Sequence, residues 1–226
     1  MKHLTIAQAY TLCAIDKGGR KVTYPNSAHS GCIVMGAFLE LFLAENIALD
    51  EKKRVVLLQP PAVAKPHYLF YVWKALSSDK PKTLKKWMKY YLDGFSVKII
   101  RRIVNAVIHS LLVDGCLIRE MKRGIFHERV NYRVHQQAIQ DIQYSLRTAL
   151  LEDGALTSYG IALAVLMREG GLLQKYFTKE EQKEIQTRLR EAEDSDIGAK
   201  AMVVTEVLDE LDSFIMAATN LNLLYS

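Results

Sequence analysis

Residues 96–134 read SVKIIRRIVNAVIHSLLVDGCLIREMKRGIFHERVNYRV and join a helical pattern directly to a strand pattern. The apolar residues of the first part recur every three or four positions, at Ile100, Val104, Val107 and Leu111. This period predicts an amphipathic helix over roughly 96–113. Gly115 follows it and suits the left-handed turn that ends many helices.

The second part of this stretch predicts a β-hairpin over about 116–134, because its residues alternate between apolar and polar types. Its turn places Ile125 and Phe126 beside Lys122 and Arg123. An apolar tip with a basic rim is suited to insertion into an anionic bilayer surface. Packing of the tip on the same domain or on a second subunit is an equally open interpretation.

The polar side of the predicted helix is basic. It carries Lys98, Arg101, Arg102, Asn105 and His109. Arginine suits the binding of phosphate because its planar guanidinium can donate two hydrogen bonds to one phosphate group. The candidate headgroup-binding residues are therefore Lys98, Arg101, Arg102, Lys122 and Arg123.

Outward from this stretch, the patterns predict further helices and a second short hairpin. The predicted helices cover about 5–15, 30–45, 67–77, 84–92, 136–152, 156–169, 179–192 and 197–218, and the second hairpin covers 47–58. Thr5 with Gln8, and Thr178 with Glu181, have the spacing of capping boxes. The expected fold is one mostly α-helical globular domain over 1–226 with short β-hairpins.

Composition predicts a cytoplasmic protein without a membrane span. Half of the 226 residues are hydrophobic, but Glu40 interrupts the longest apolar stretch, 33–44. The N-terminus lacks a signal-peptide pattern. Cys13, Cys32 and Cys116 form no C-x-x-C pair, so reduced thiols are expected.

Charge is unevenly distributed along the chain. Up to residue 135 there are 22 Lys and Arg against 10 Asp and Glu, whereas residues 136–226 have 8 against 15. Residues 80–102 alone contain eight basic residues and one acidic residue. This asymmetry indicates an anionic partner for the first part of the chain, either a membrane surface or nucleic acid.

The motifs of common enzymes are missing from the sequence. It has no G-x-S-x-G and no G-x-x-x-x-G-K-[ST], and its six histidines do not have metal-ligand spacing. We therefore expect a binding protein rather than an enzyme, with no cofactor and no metal. A basic helix before a basic hairpin also fits a winged helix-turn-helix, although the narrow polar face disfavours nucleic acid. A homo-oligomeric scaffold is the other alternative.

Several blocks of sequence, in order, resemble the Golgi phosphoprotein 3 family domain from about residue 4 to 217. They are Leu4-Thr5-Ile6 to Leu12, Asp16-Lys17-Gly18-Gly19, Gly36 to Leu43, Ile47-Ala48-Leu49-Asp50, Lys80-Pro81 with Leu84 and Trp87, and Leu111 to Leu117. The resemblance implies a mostly helical domain with a membrane-facing hairpin. It also implies a peripheral membrane protein that binds phosphatidylinositol 4-phosphate and self-associates through the hairpin.

The family's headgroup pocket, made of one Trp and three Arg, is largely replaced. The resemblance places Pro25 (or the adjacent Tyr24), Val34, Arg101 and Val104 at those four positions. Only Arg101 keeps its type, and Arg102 beside it is a near substitute. These departures favour a prokaryotic member, for which we expect no N-terminal extension before the domain and a place on the inner face of a membrane, and they leave the headgroup open.

Overall fold

A computed structural model describes residues 4–15, 27–62, 67–87, 97–123, 128–152 and 156–193. Within them, the helices are α1 Ile6–Ala14, α2 Ser27–Leu43, α3 His67–Ser77, α4 Val97–Val113, α5 Gln136–Leu150, α6 Ser158–Glu169, α7 Leu173–Tyr176 and α8 Lys179–Glu193. The strands are β1 Ile47–Leu49, β2 Val55–Leu57, β3 Leu117–Arg123 and β4 Glu128–Val134. Strand β1 pairs with β2 and β3 pairs with β4, as two antiparallel hairpins.

The prediction of a mostly α-helical fold with short hairpins is confirmed. Residues 84–87 are helical, and the rest of the helix predicted at 84–92 lies outside the described residues, as does the one at 197–218. The short helix α7 was not predicted. None of the helices in the described part of the chain is long and apolar enough to span a bilayer.

The first helix, which the sequence predicted without indicating its depth, is buried on all sides. Every residue from Ile6 to Cys13 is buried, because α2, α4, α5 and α6 all pack around α1. Gly36 of α2 permits the closest of these approaches, since a Cβ there would lie 3.1 Å from the Cα of Ala7. The predicted capping box is confirmed, with Thr5 and Gln8 bonded reciprocally.

Two polar side chains connect α1 to its neighbours. Gln8 is 2% exposed, and its Nε2 donates to Asp114 (2.9 Å) and Ser110 (3.1 Å) near the end of α4. Glu40 of α2 accepts from the backbone N–H of Ala7 and from the hydroxyl of Tyr68, both at 2.7 Å. Burial, and then the charge of Glu40, raise the pKa of Tyr68, so its hydroxyl remains a donor.

Helix α4 packs its apolar side into the core and ends as predicted. Ile103, Val104, Val107 and Leu111 are buried, and α3 is among the helices that cover them. Gly115 has φ +71°, and the N–H of Cys116 donates to the carbonyl of Leu111 (2.9 Å). A left-handed residue with this bond is the C-terminal arrangement that favours glycine.

Candidate functional site

The exposed side of α4 is basic and has no acidic residue. Its exposed positions include Lys98, Arg101, Arg102, Asn105 and His109, as the helical period predicted. Three of these, Lys98, Arg101 and Arg102, occupy the first half of the helix and are called here the α4 basic face. Because the helix itself contains no Asp or Glu, it supplies no carboxylate of its own to neutralise this face.

Arg102 differs from other arginines of the structure in what it contacts. Its guanidinium carbon lies 4.2 Å from the centre of the Tyr71 ring on α3. Among the described residues, its N–H groups have no hydrogen-bond or ion-pair partner. By contrast, carboxylates lie within 2.8 Å of the guanidinium groups of Arg54, Arg133, Arg147 and Arg168.

The hairpin after α4 has the predicted antiparallel register, with Leu117 opposite Val134 and Lys122 opposite Arg129. Leu117 is buried, so the base of the hairpin is anchored in the core. Farther out, Met121 is 55% exposed. The base of the hairpin is therefore packed into the core, whereas the apolar side chain of Met121 faces solvent.

The structure describes two of the four predicted tip residues. Lys122 and Arg123 lie in β3, and Arg123 is opposite Glu128 in the register. Ile125 and Phe126 lie outside the described residues, so their insertion stays a prediction. The structure brings together Lys98, Arg101 and Arg102 on one helix face. It does not test whether the hairpin tip enters a membrane.

Two positions at which the resemblance placed headgroup-pocket residues lie in the core. Val34 and Val104 are each 1% exposed and belong to the apolar core. A valine side chain has no hydrogen-bond donor, so these side chains cannot bind a phosphate. Arg101 is exposed, and Pro25 lies outside the described residues.

Sequence reasoning identified the basic residues from position 80 onward but missed their contact with the turn at 50–54. The turn at 50–54 lies beside residues 80–86, because Arg54 forms a β-bridge with Thr83 and the N–H of Val55 donates to Lys82. Within this region Arg54 pairs with Asp50, and Lys82 with Asp79. Because the two segments are separated by more than 25 residues, no local pattern could reveal their contact.

The described part of the chain contains three thiols and a hydrogen-bonded tyrosine–histidine pair. All three cysteines are free, and burial raises the pKa of Cys32 to about 12. The Tyr10 hydroxyl lies 2.8 Å from Nδ1 of His29. Burial, and then the charge of Lys175, lower the pKa of His29, so this cluster stays neutral near pH 7. The described residues contain no group of three His, Cys, Asp or Glu placed to hold a metal ion.

The fold and its exposed face define a class of mostly α-helical proteins with a basic helix leading into a β-hairpin. The chain belongs to the Golgi phosphoprotein 3 (GPP34) family, whose family model matches residues 6–211. No curated protein matches it. The match covers every helix and strand described above, α4 and both hairpins included.

Proposed function

We propose that this protein is a peripheral membrane protein that binds anionic lipid headgroups through the α4 basic face. The observation that carries the proposal is the grouping of Lys98, Arg101 and Arg102 on one exposed face of a helix without acidic residues. Membership of the Golgi phosphoprotein 3 family supports it. The proposal assigns the protein a binding role, with no catalytic step and no cofactor.

The basic face alone would give weak attachment. Each basic residue near an anionic bilayer contributes about 1 kcal/mol, so the three residues together contribute about 3 kcal/mol. Full burial of one Phe or Ile side chain contributes roughly 1.5–3 kcal/mol. We therefore propose that Ile125 and Phe126 of the hairpin enter the headgroup boundary and supply the second contribution, with Lys122 and Arg123 at its rim.

The proposed ligand is a phosphate-bearing headgroup on the cytoplasmic leaflet. Phosphatidylinositol 4-phosphate is the headgroup that the family resemblance favours. The burial of Val34 and Val104 argues against a pocket of the family's pattern, so Arg101 and Arg102 carry the proposed phosphate contact. Self-association through the 116–134 hairpin is proposed as a second role of the same element.

Charge removal from α4 tests the proposal. Arg101→Ala with Arg102→Ala should weaken binding to anionic vesicles about 30-fold at low salt, since two charges contribute about 2 kcal/mol. High salt should shrink this difference, because screening suppresses the charge contribution in both proteins. Vesicle sedimentation at two salt concentrations measures both effects.

The matched control removes two exposed charges from another helix. Lys183→Ala with Arg190→Ala on α8 lowers the net charge by the same amount. This control should bind anionic vesicles within about threefold of the wild type. Equal losses in the two double variants would contradict a specific role for α4 and would leave only an effect of net charge.

A further inference from the structure

We infer that Tyr71 is a positioning residue that holds Arg102 ready for a phosphomonoester headgroup. The inference rests on the proposed function and adds a residue that the family's pocket pattern does not contain. Its basis is the cation–π contact of Arg102 with Tyr71, in which the guanidinium carbon lies over the ring at 4.2 Å from the ring centre.

The Tyr71 ring is a fixed platform. Tyr71 belongs to α3, is half-buried and packs against the apolar core, so its position is set by the packing of the helices. Helix α3 also packs against α4, which carries Arg102. The platform and the arginine therefore come from two helices whose relative placement the core determines.

The contact with the ring holds the guanidinium without using its donors. The guanidinium carbon lies over the ring, so the ring engages the charge of the group rather than its N–H groups. No described residue accepts from those N–H groups. A long exposed side chain normally loses rotamer freedom when it binds a ligand. A side chain that is already held in place loses less, so binding costs less conformational entropy.

The arrangement of basic groups around Arg102 favours a phosphomonoester over a phosphodiester. A phosphomonoester presents three acceptor oxygens and carries between one and two negative charges near neutral pH. The two parallel N–H groups of Arg102 can bind two of these oxygens, while Lys98 and Arg101 add charge on the same face. A phosphodiester has only two such oxygens, so once the fork of Arg102 binds both it offers none to Lys98 or Arg101, whereas a phosphomonoester still offers a third.

The test compares vesicles of phosphatidylcholine that contain either phosphatidic acid or phosphatidylglycerol, matched for surface charge. Phosphatidic acid exposes a phosphomonoester and phosphatidylglycerol does not. The wild type should bind the phosphatidic acid vesicles about three- to tenfold more tightly. Tyr71→Phe keeps an aromatic face and should keep this preference, whereas Tyr71→Leu should lose it.

A second variant keeps the test decisive if Tyr71→Leu unfolds. Arg102→Lys keeps the charge but removes the planar fork, and its side chain is exposed. It should bind both vesicle types and lose the preference between them. Soluble glycerol phosphate, at the concentration of the phosphatidic acid, should not displace the wild type; displacement would overturn the assignment to a lipid.

Two failures can be told apart. If the wild type binds neither vesicle type at low salt, the proposed function fails. If the wild type binds both equally, or if Arg102→Lys keeps the preference, docking by charge stands and the role of the Tyr71–Arg102 pair is refuted. Loss of the preference in Tyr71→Phe would equally refute a role for the ring face.

Discussion

Glu40→Gln should destabilise the fold strongly although it changes one atom. Both carboxylate oxygens of Glu40 accept at 2.7 Å, one from the N–H of Ala7 and one from the hydroxyl of Tyr68. The amide of Gln has one acceptor oxygen, so the Tyr68 hydroxyl would have to accept from its NH₂ group and donate instead to the nearby hydroxyl of Thr5. Two hydrogen bonds to a charged group, about 1.5–3 kcal/mol each, thereby become hydrogen bonds to a neutral group, about 0.5–1.5 kcal/mol each.

The charge of Glu40 also lies at the N-terminus of α1, where an anion adds about 0.3–1 kcal/mol. These contributions overlap, so we expect a loss of about 2–4 kcal/mol in the free energy of unfolding. For a domain of this size that loss lowers the unfolding midpoint by roughly 5–15 °C. Thermal unfolding followed by circular dichroism at the helix band measures it.

The control is Glu184→Gln on the exposed side of α8, which should stay within about 0.5 kcal/mol of the wild type. Tyr68→Phe removes one of the two donors, and in the double variant with Glu40→Gln the losses should be less than additive. A Glu40→Gln protein as stable as the Glu184→Gln control would refute the assignment of Glu40 as the acceptor that joins α1, α2 and α3.

The other predictions concern packing, membrane insertion and thiol reactivity. Gly36→Ala should lower the free energy of unfolding by up to about 2 kcal/mol, because overpacking of the new methyl group against the α1 backbone at 3.1 Å, about 1–3 kcal/mol, exceeds the roughly 1 kcal/mol that Ala gains over Gly in a helix. Phe126→Ser should weaken sedimentation with anionic vesicles at both low and high salt, because apolar burial is not screened. Cys32 should resist alkylation near pH 7 in the folded protein, since burial raises its pKa to about 12. Half-buried Cys116 should react first, and peptide mass spectrometry after timed labelling would show the order.

The parts of the fold that the sequence predicts are those with a local cause. The stripe from Val104 to Leu111 is buried and Gly115 is left-handed, as periodicity and turn preference require. The capping box of Thr178 with Glu181 forms as predicted, because its partners are three residues apart. In each case the interaction that fixes the structure lies within about one turn of the chain.

The parts that the sequence does not predict depend on distant partners. The sequence predicts Gln8 as the capping partner of Thr5 but not its burial, which is possible because Ser110 and Asp114 accept from its amide from more than 100 residues away. The contact of Arg102 with Tyr71 also joins two helices. Periodicity places each residue on a face of its own helix, but only the packing of the helices decides which faces meet.

The central claim is that the α4 basic face docks on an anionic membrane. Its most direct test is sedimentation of the wild-type protein with phosphatidylglycerol-containing and pure phosphatidylcholine vesicles at low ionic strength. We predict that the protein sediments with the anionic vesicles, stays in solution with the neutral ones, and is released from the anionic vesicles as salt is raised. A protein that stays in solution with both would contradict the claim, and the exposed apolar residues of the 116–134 hairpin would then indicate a contact with another protein.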